Sequence, residues 1–81
     1  MKVIILEKRL FGGKKETHEY IAEALGFPSY YGNNLDALAD CLSELPRDVG
    51  VILSMAGSAD VTVGAFEEVF SEILGRRFFT I

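Results

Sequence analysis

Asp36, Asp40 and Glu44 recur at intervals of four residues, and Tyr30, Tyr31 and Gly32 stand just before them. On a helix of 3.6 residues per turn, that interval stacks the three carboxylates along one side. Like charges so spaced repel by roughly a few tenths of a kcal/mol per pair. No Lys or Arg answers them at helical spacing. Two chemistries use such a row. Carboxylate pairs can act as general acid and base, but only where their environments push the pKa values apart, and one exposed helix face leaves both ionised. The other is recognition, in which the compensating cations belong to another molecule. Aromatic residues beside uncompensated charge are a common interface composition, which favours this second use. Taken singly, each tyrosine fits the edge of a core as well as an interface.

The other reactive side chains offer less. His18 and Cys41 are the single imidazole and the single thiol of the chain. Nucleophilic catalysis would require them adjacent, with a third group to orient them. Cys41 falls at the margin of a leucine face, as expected for a structural thiol, and His18 is expected on a helix surface or at a satisfied edge. One His and one Cys also fall short of the three or four ligands of a zinc site, so neither a metal nor another cofactor is expected. Gly12-Gly13-Lys14-Lys15 follows a strand as a phosphate loop would. The phosphate-cradling pattern, however, needs a glycine where Lys8 stands and Ser or Thr where Lys15 stands. A flexible turn with solvated lysines is the expectation.

The elements that must position the acidic row follow from periodicity. Val3-Ile4-Ile5-Leu6 is a continuous apolar run of the kind that forms a strand buried on both faces. Lys14 to Leu25 reads as a helix with Tyr20, Ile21, Ala24 and Leu25 inward and Glu16, Glu19 and Glu23 outward. Gly26 supplies a left-handed stop, Phe27 the apolar cover, and Pro28 prevents continuation. Asn34 is placed to cap a helix from Leu35 to Leu45, whose leucines 35, 38, 42 and 45 share one side, and Pro46 ends it. Asp36 then lies near the positive end of that helix dipole. Val49 to Leu53 is a second strand. Thr62 is placed to cap a third helix, in which Phe66, Val69, Phe70, Ile73 and Leu74 repeat at i, i+3, i+4, i+7 and i+8. Gly75 closes it before a strand at Phe78 to Ile81. No short hairpin turn joins any two strands. The order therefore predicts an α/β fold with two layers: a three-stranded parallel sheet, order 1-2-3, with its helices on one face.

The totals set bounds on function. Eighty-one residues make one small domain, 1–81, since a core of this size does not split. A hydrophobic share of 49 % is too high for disorder, and no apolar run approaches the length of a membrane span. With one cysteine no internal disulfide forms, in keeping with a reducing cytoplasm. The net charge of −4 is unevenly spread: from Glu16 to Gly75 eleven carboxylates accompany a single cation, Arg47. An acidic body between basic ends repels nucleic acid and anionic lipid and attracts basic proteins.

The run Tyr30-Tyr31-Gly32-Asn33-Asn34-Leu35-Asp36-Ala37-Leu38-Ala39-Asp40-Cys41-Leu42 resembles the central segment of the barstar family, intracellular inhibitors of the secreted ribonuclease barnase. Weaker similarity extends through Thr17-His18-Glu19 to Phe27-Pro28, and through Glu68-Val69-Phe70-Ser71-Glu72, so the resemblance spans most of the chain. It implies a protein inhibitor with no catalysis of its own, which plugs the active site of a small secreted guanyl-type ribonuclease with an acidic helix and the loop before it. By this resemblance Tyr30, Gly32, Asn34, Leu35, Asp36 and Asp40 fall on contact positions. Ser43 falls on a rim contact and Glu72 on an acidic contact from the last helix. Asp40 would stand in for a substrate phosphate, because a carboxylate accepts paired hydrogen bonds from Arg much as a phosphate does.

Two contact positions depart from the family pattern. Ala39 replaces a tryptophan and removes apolar area, while Glu44 replaces a glycine and adds a charge. The expected partner is a basic extracellular ribonuclease, bound 1:1, with neither nucleic acid nor membrane involved. The alternative is an acidic binding module of the same fold for another basic protein. A third reading, an enzyme built on Cys41, requires a reactive thiol.

Overall fold

The computed structural model describes residues 2–81. Three strands form its sheet: β1 (Lys2–Glu7), β2 (Val49–Ser54) and β3 (Phe78–Thr80). They pair in parallel in the order β1-β2-β3, as the element order predicted. Three helices fill the crossovers: α1 (Lys14–Leu25), α2 (Leu35–Ser43) and α3 (Val63–Leu74).

Register decides which side chains meet. Ile4, Val51 and Phe78 lie in one row across the sheet, and Leu6 and Leu53 in the next. These residues share a single core with Ile21 and Leu25 of α1, Leu38 and Leu42 of α2, and Phe66, Phe70 and Leu74 of α3. The alternate residues point the other way. Val3 is 47 % and Ile5 60 % exposed, so the expectation that the first strand is buried on both faces fails. The reason is topological. Strands paired in sequence order and joined by right-handed crossovers place every helix on the same side, and nothing is left to cover the second face.

Helix ends follow the sequence closely. Gly26 adopts the left-handed conformation at φ 72°, and the Phe27 N–H donates to the Ala22 carbonyl at 2.9 Å. Within α1 the buried stripe is Thr17, His18, Ile21 and Leu25, whereas Ala24, expected inward, is exposed. α2 stops at Ser43 rather than Leu45. Proline disfavours helical backbone in the residue before it, and the chain tightens there, with Glu44 N–H bonded to Cys41 O and Leu45 N–H to Leu42 O. Thr62 occupies the cap position of α3, but its side chain makes no capping hydrogen bond.

Candidate protein-binding surface

The acidic helix is held at its start by one side chain. Asn34 Oδ1 accepts from the Ala37 N–H at 2.8 Å, satisfying an amide of the first turn. The same side chain donates from Nδ2 to the Gly32 carbonyl at 3.2 Å. Asn34 therefore caps α2 and pins the preceding loop to it. Behind the helix Leu38 and Leu42 are fully buried, and Leu35 and Leu45 pack against the core from its edge. That fixes the helix's rotation and turns Asp36, Asp40, Ser43 and Glu44 out into solvent, with Ala39 half-buried. The Ser43 hydroxyl donates to the Asp40 carbonyl at 2.6 Å.

None of the three carboxylates is neutralised by another of the described residues. Among the described residues the one ion pair is Arg9–Glu7, at 3.0 Å. Asp36, Asp40 and Glu44 thus present unpaired negative charge on a braced helix.

The two tyrosines of the loop divide their labour. Tyr30 is 81 % exposed and offers its ring to solvent. Tyr31 turns inward, its ring 5.1 Å from Phe27 and 5.7 Å from His18, and its hydroxyl is hydrogen-bonded to His18 Nδ1 at 2.7 Å. Burial, with a smaller contribution from the Cys41 thiol, pushes the Tyr31 phenol up to about 12, so it keeps its proton. His18 is fully buried, at neither the helix surface nor the satisfied edge expected of it. Its ring centroid lies 5.0 Å from that of Phe66, and its Nε2 has no hydrogen-bond partner among the described residues. An imidazolium would need acceptors at both nitrogens. Burial, and secondarily the Lys14 charge, accordingly lowers the His18 pKa from its ordinary 6.5.

Between loop and helix runs a groove of about 230 Å³. Pro28, Tyr30, Tyr31 and Gly32 form one wall and Ala37, Asp40, Cys41 and Glu44 the other. Of the residues expected at a partner contact, Tyr30, Gly32, Asp40 and Glu44 meet here. Asp36, Ala39 and Ser43 lie elsewhere on α2, and Glu72 lines a separate hollow on α3 with Glu67, Glu68 and Ser71. Sequence reasoning missed Ala37, Cys41 and Pro28 as groove residues. Ala37, Cys41 and Glu44 recur at i, i+4 and i+7, so the helical period itself carried the signal for two of the three.

The catalytic alternatives find little support in this geometry. Burial raises the Cys41 pKa, and the Glu44 and Asp40 carboxylates raise it further; a thiol held protonated is a poor nucleophile. Among the described residues the His18 side chain is hydrogen-bonded to Tyr31, not to sulfur. At the start of α1 the Glu16 carboxylate folds back against Gly13, filling the place a phosphate would take. Among the described residues no three His, Cys, Asp or Glu side chains come together as a metal site would require.

Two comparisons with known proteins bear on this surface. The family model described as barstar (barnase inhibitor) matches residues 1–75. The chain is also similar to a protein of Bacillus subtilis (strain 168) named "Putative ribonuclease inhibitor YrdF", with 32 % identity over 77 residues, covering 91 % of this chain and 82 % of that one. The matched residues include all three helices and the first two strands, and with them the braced acidic helix and its capped loop. On these grounds the chain belongs to the barstar family.

Proposed function

We propose that this protein inhibits a small, basic, secreted ribonuclease by seating α2 and the preceding loop in its active site, one inhibitor to one enzyme. The observation that carries the reading is the row Asp36, Asp40 and Glu44, exposed and unpaired, on a helix whose back is locked by Leu38 and Leu42. A ribonuclease active site gathers cations to hold phosphate, and a carboxylate accepts from guanidinium in the same forked geometry. Asp40 stands at the groove beside exposed Tyr30 and takes the phosphate's place. Because the helix is rigid before contact, little side-chain and backbone freedom is lost on docking. The acidic field draws the basic enzyme in, so the association rate falls as salt rises. Family membership and the relative's name as a ribonuclease inhibitor support the same reading. In the cytoplasm such a protein would act as an immunity factor, protecting the cell from a nuclease made for export.

The test is Asp40→Ala, titrated against a panel of small secreted ribonucleases. The largest alanine-scanning losses at interfaces reach several kcal/mol, an aspartate of barstar itself being one such case, and the magnitude expected here, about 5 kcal/mol or more, is borrowed from that precedent. Unchanged inhibition by a folded Asp40→Ala protein would overturn the assignment.

One observation favours a second reading, a binding module for a different basic protein. Glu44 adds a carboxylate to the groove wall, and Ala39 offers little apolar area. Both changes ask for a partner with more positive charge and less apolar surface than barnase-like enzymes present to the family. Capture of a basic non-nuclease from the source cell, with no ribonuclease of the panel inhibited, would establish it.

A further inference from the structure

The two-layer fold leaves one face of its sheet bare. Ile5, Ile52 and Phe79 are direct neighbours in the strand register and form a row straight across that face. Ile5 is 60 % and Phe79 55 % exposed, and Val3 and Ile81, two positions away along their strands, are 47 % and 73 % exposed. Isolated exposed leucines or valines are ordinary, but five neighbouring Val, Ile and Phe side chains on one pleated surface are not.

We propose that this face is the contact between two copies of the chain, packed sheet against sheet about a two-fold axis. Area and composition argue for it. The row and its neighbours expose on the order of 400 Å² of apolar surface, within the range of the largest patch on a monomer, where such patches are commonly functional. A standard interface buries roughly 800 Å² per partner, a little over half of it apolar. The bare face thus supplies about the apolar centre one such interface contains, and the strand ends around it supply the polar rim. A sheet face is also self-complementary: two of them stack about 10 Å apart with side chains interleaved, which is how β-sandwich cores are built. A two-fold axis uses the same patch twice and closes the assembly.

The rim carries a signature of its own. Lys2 and Arg76 stand exposed at one end of the strands and Arg77 is tied to the Pro46 carbonyl, while Glu7 at the other end is already paired with Arg9. With the two-fold axis running along the strands, these basic ends come together and repel, so added salt tightens the dimer. The acidic face of α2 belongs to the helical layer on the other side of the core, and each copy in the dimer keeps it free for a partner. The inference therefore stands whether or not that partner is a nuclease.

The experiment is sedimentation equilibrium on the full chain from micromolar to millimolar concentration, at low and at high salt. Expected is a reversible monomer–dimer equilibrium that salt strengthens. Ile5→Thr and Phe79→Thr, which keep strand propensity, should each weaken it at least tenfold. Because either variant could lose the fold, methyl NMR of the unsubstituted protein gives an independent readout. Concentration-dependent shifts at Val3, Ile5, Ile52 and Ile81 support the proposal, and shifts confined to α2 overturn it. A monomer at every concentration overturns it too. So does a monomer that binds anionic phosphatidylglycerol vesicles and loses that binding in Ile5→Thr, since a lipid surface would then be what the face meets.

Discussion

Replacing Tyr31 by Phe removes one oxygen atom and tests how the loop before α2 is held. Among the described residues the Tyr31 hydroxyl is the sole side-chain partner of the His18 ring, 2.7 Å from Nδ1, and the other ring nitrogen is already without one. The ring that remains in Tyr31→Phe keeps its packing on Phe27 and His18, so the transfer term hardly changes. What changes is hydrogen bonding: a net loss of about 1 kcal/mol for the bond, plus about 1–3 kcal/mol for leaving a buried polar group with no partner. The sum lies near 2–4 kcal/mol, a large share of the stability of a domain this size. For a chain of this length it corresponds to a fall in Tm of roughly 10–30 °C. Urea unfolding at pH 8, with equal m-values in both proteins, is the assay. The double variant Tyr31→Phe/His18→Leu removes both polar partners and should regain part of the loss, because an apolar pair leaves nothing unsatisfied. A single variant within about 0.5 kcal/mol of the parent, the range of an ordinary surface change, would refute the reasoning.

Three further outcomes follow from the same surface. Stability should fall with acid below pH 6.5: the folded state lowers the His18 pKa, so the unfolded chain takes up the proton first, the stability present above 6.5 is lost as the pH drops through the folded value, and His18→Leu should flatten this part of a urea-midpoint profile. Asn34→Ala should cost about 1 kcal/mol, read by denaturant unfolding, because the capping bond to Ala37 is lost, and it should raise the off-rate of a bound partner by freeing Gly32. Cys41 should react slowly with a thiol reagent at neutral pH and rapidly once unfolded, since burial and two carboxylates hold its proton on.

Much of this molecule was legible in its sequence because local and global preferences agree. The glycine and prolines that stop α1 and α2, the Asn34 cap and the leucine spacing of α2 each depend on near neighbours, and each lies where residue chemistry puts it. Parallel order 1-2-3 followed from the absence of hairpin turns. What escaped depended on the third dimension. Val3 to Leu6 carries the composition of a doubly covered strand, and only the handedness of the two crossovers reveals that one cover is missing. His18 sits in a charged stretch of α1, between Thr17 and Glu19, and nothing local announces that its position points between Phe66 and Tyr31. The roles of Tyr30 and Tyr31 were inseparable in one dimension, because adjacent loop residues of one type differ only in which way the backbone turns them. The place of Glu72 is similar: on the helical wheel of α3 it is simply outward, and its hollow is shared with Glu67, Glu68 and Ser71 rather than with the groove of α2.

The place of α1 and α2 within the crossover between β1 and β2 has a consequence for the cell. Partners such as Ile4 and Val51 are far apart along the chain, and pairs so distant close late and slowly in folding. The surface behind Leu38 and Leu42 does not exist until β2 has been synthesised and has found β1. A growing polypeptide that has already displayed Asp36 and Asp40 outside the ribosome therefore lacks the braced acidic row. Under the function proposed above, folding time, more than synthesis time, would set when the inhibitor first restrains a nuclease made beside it.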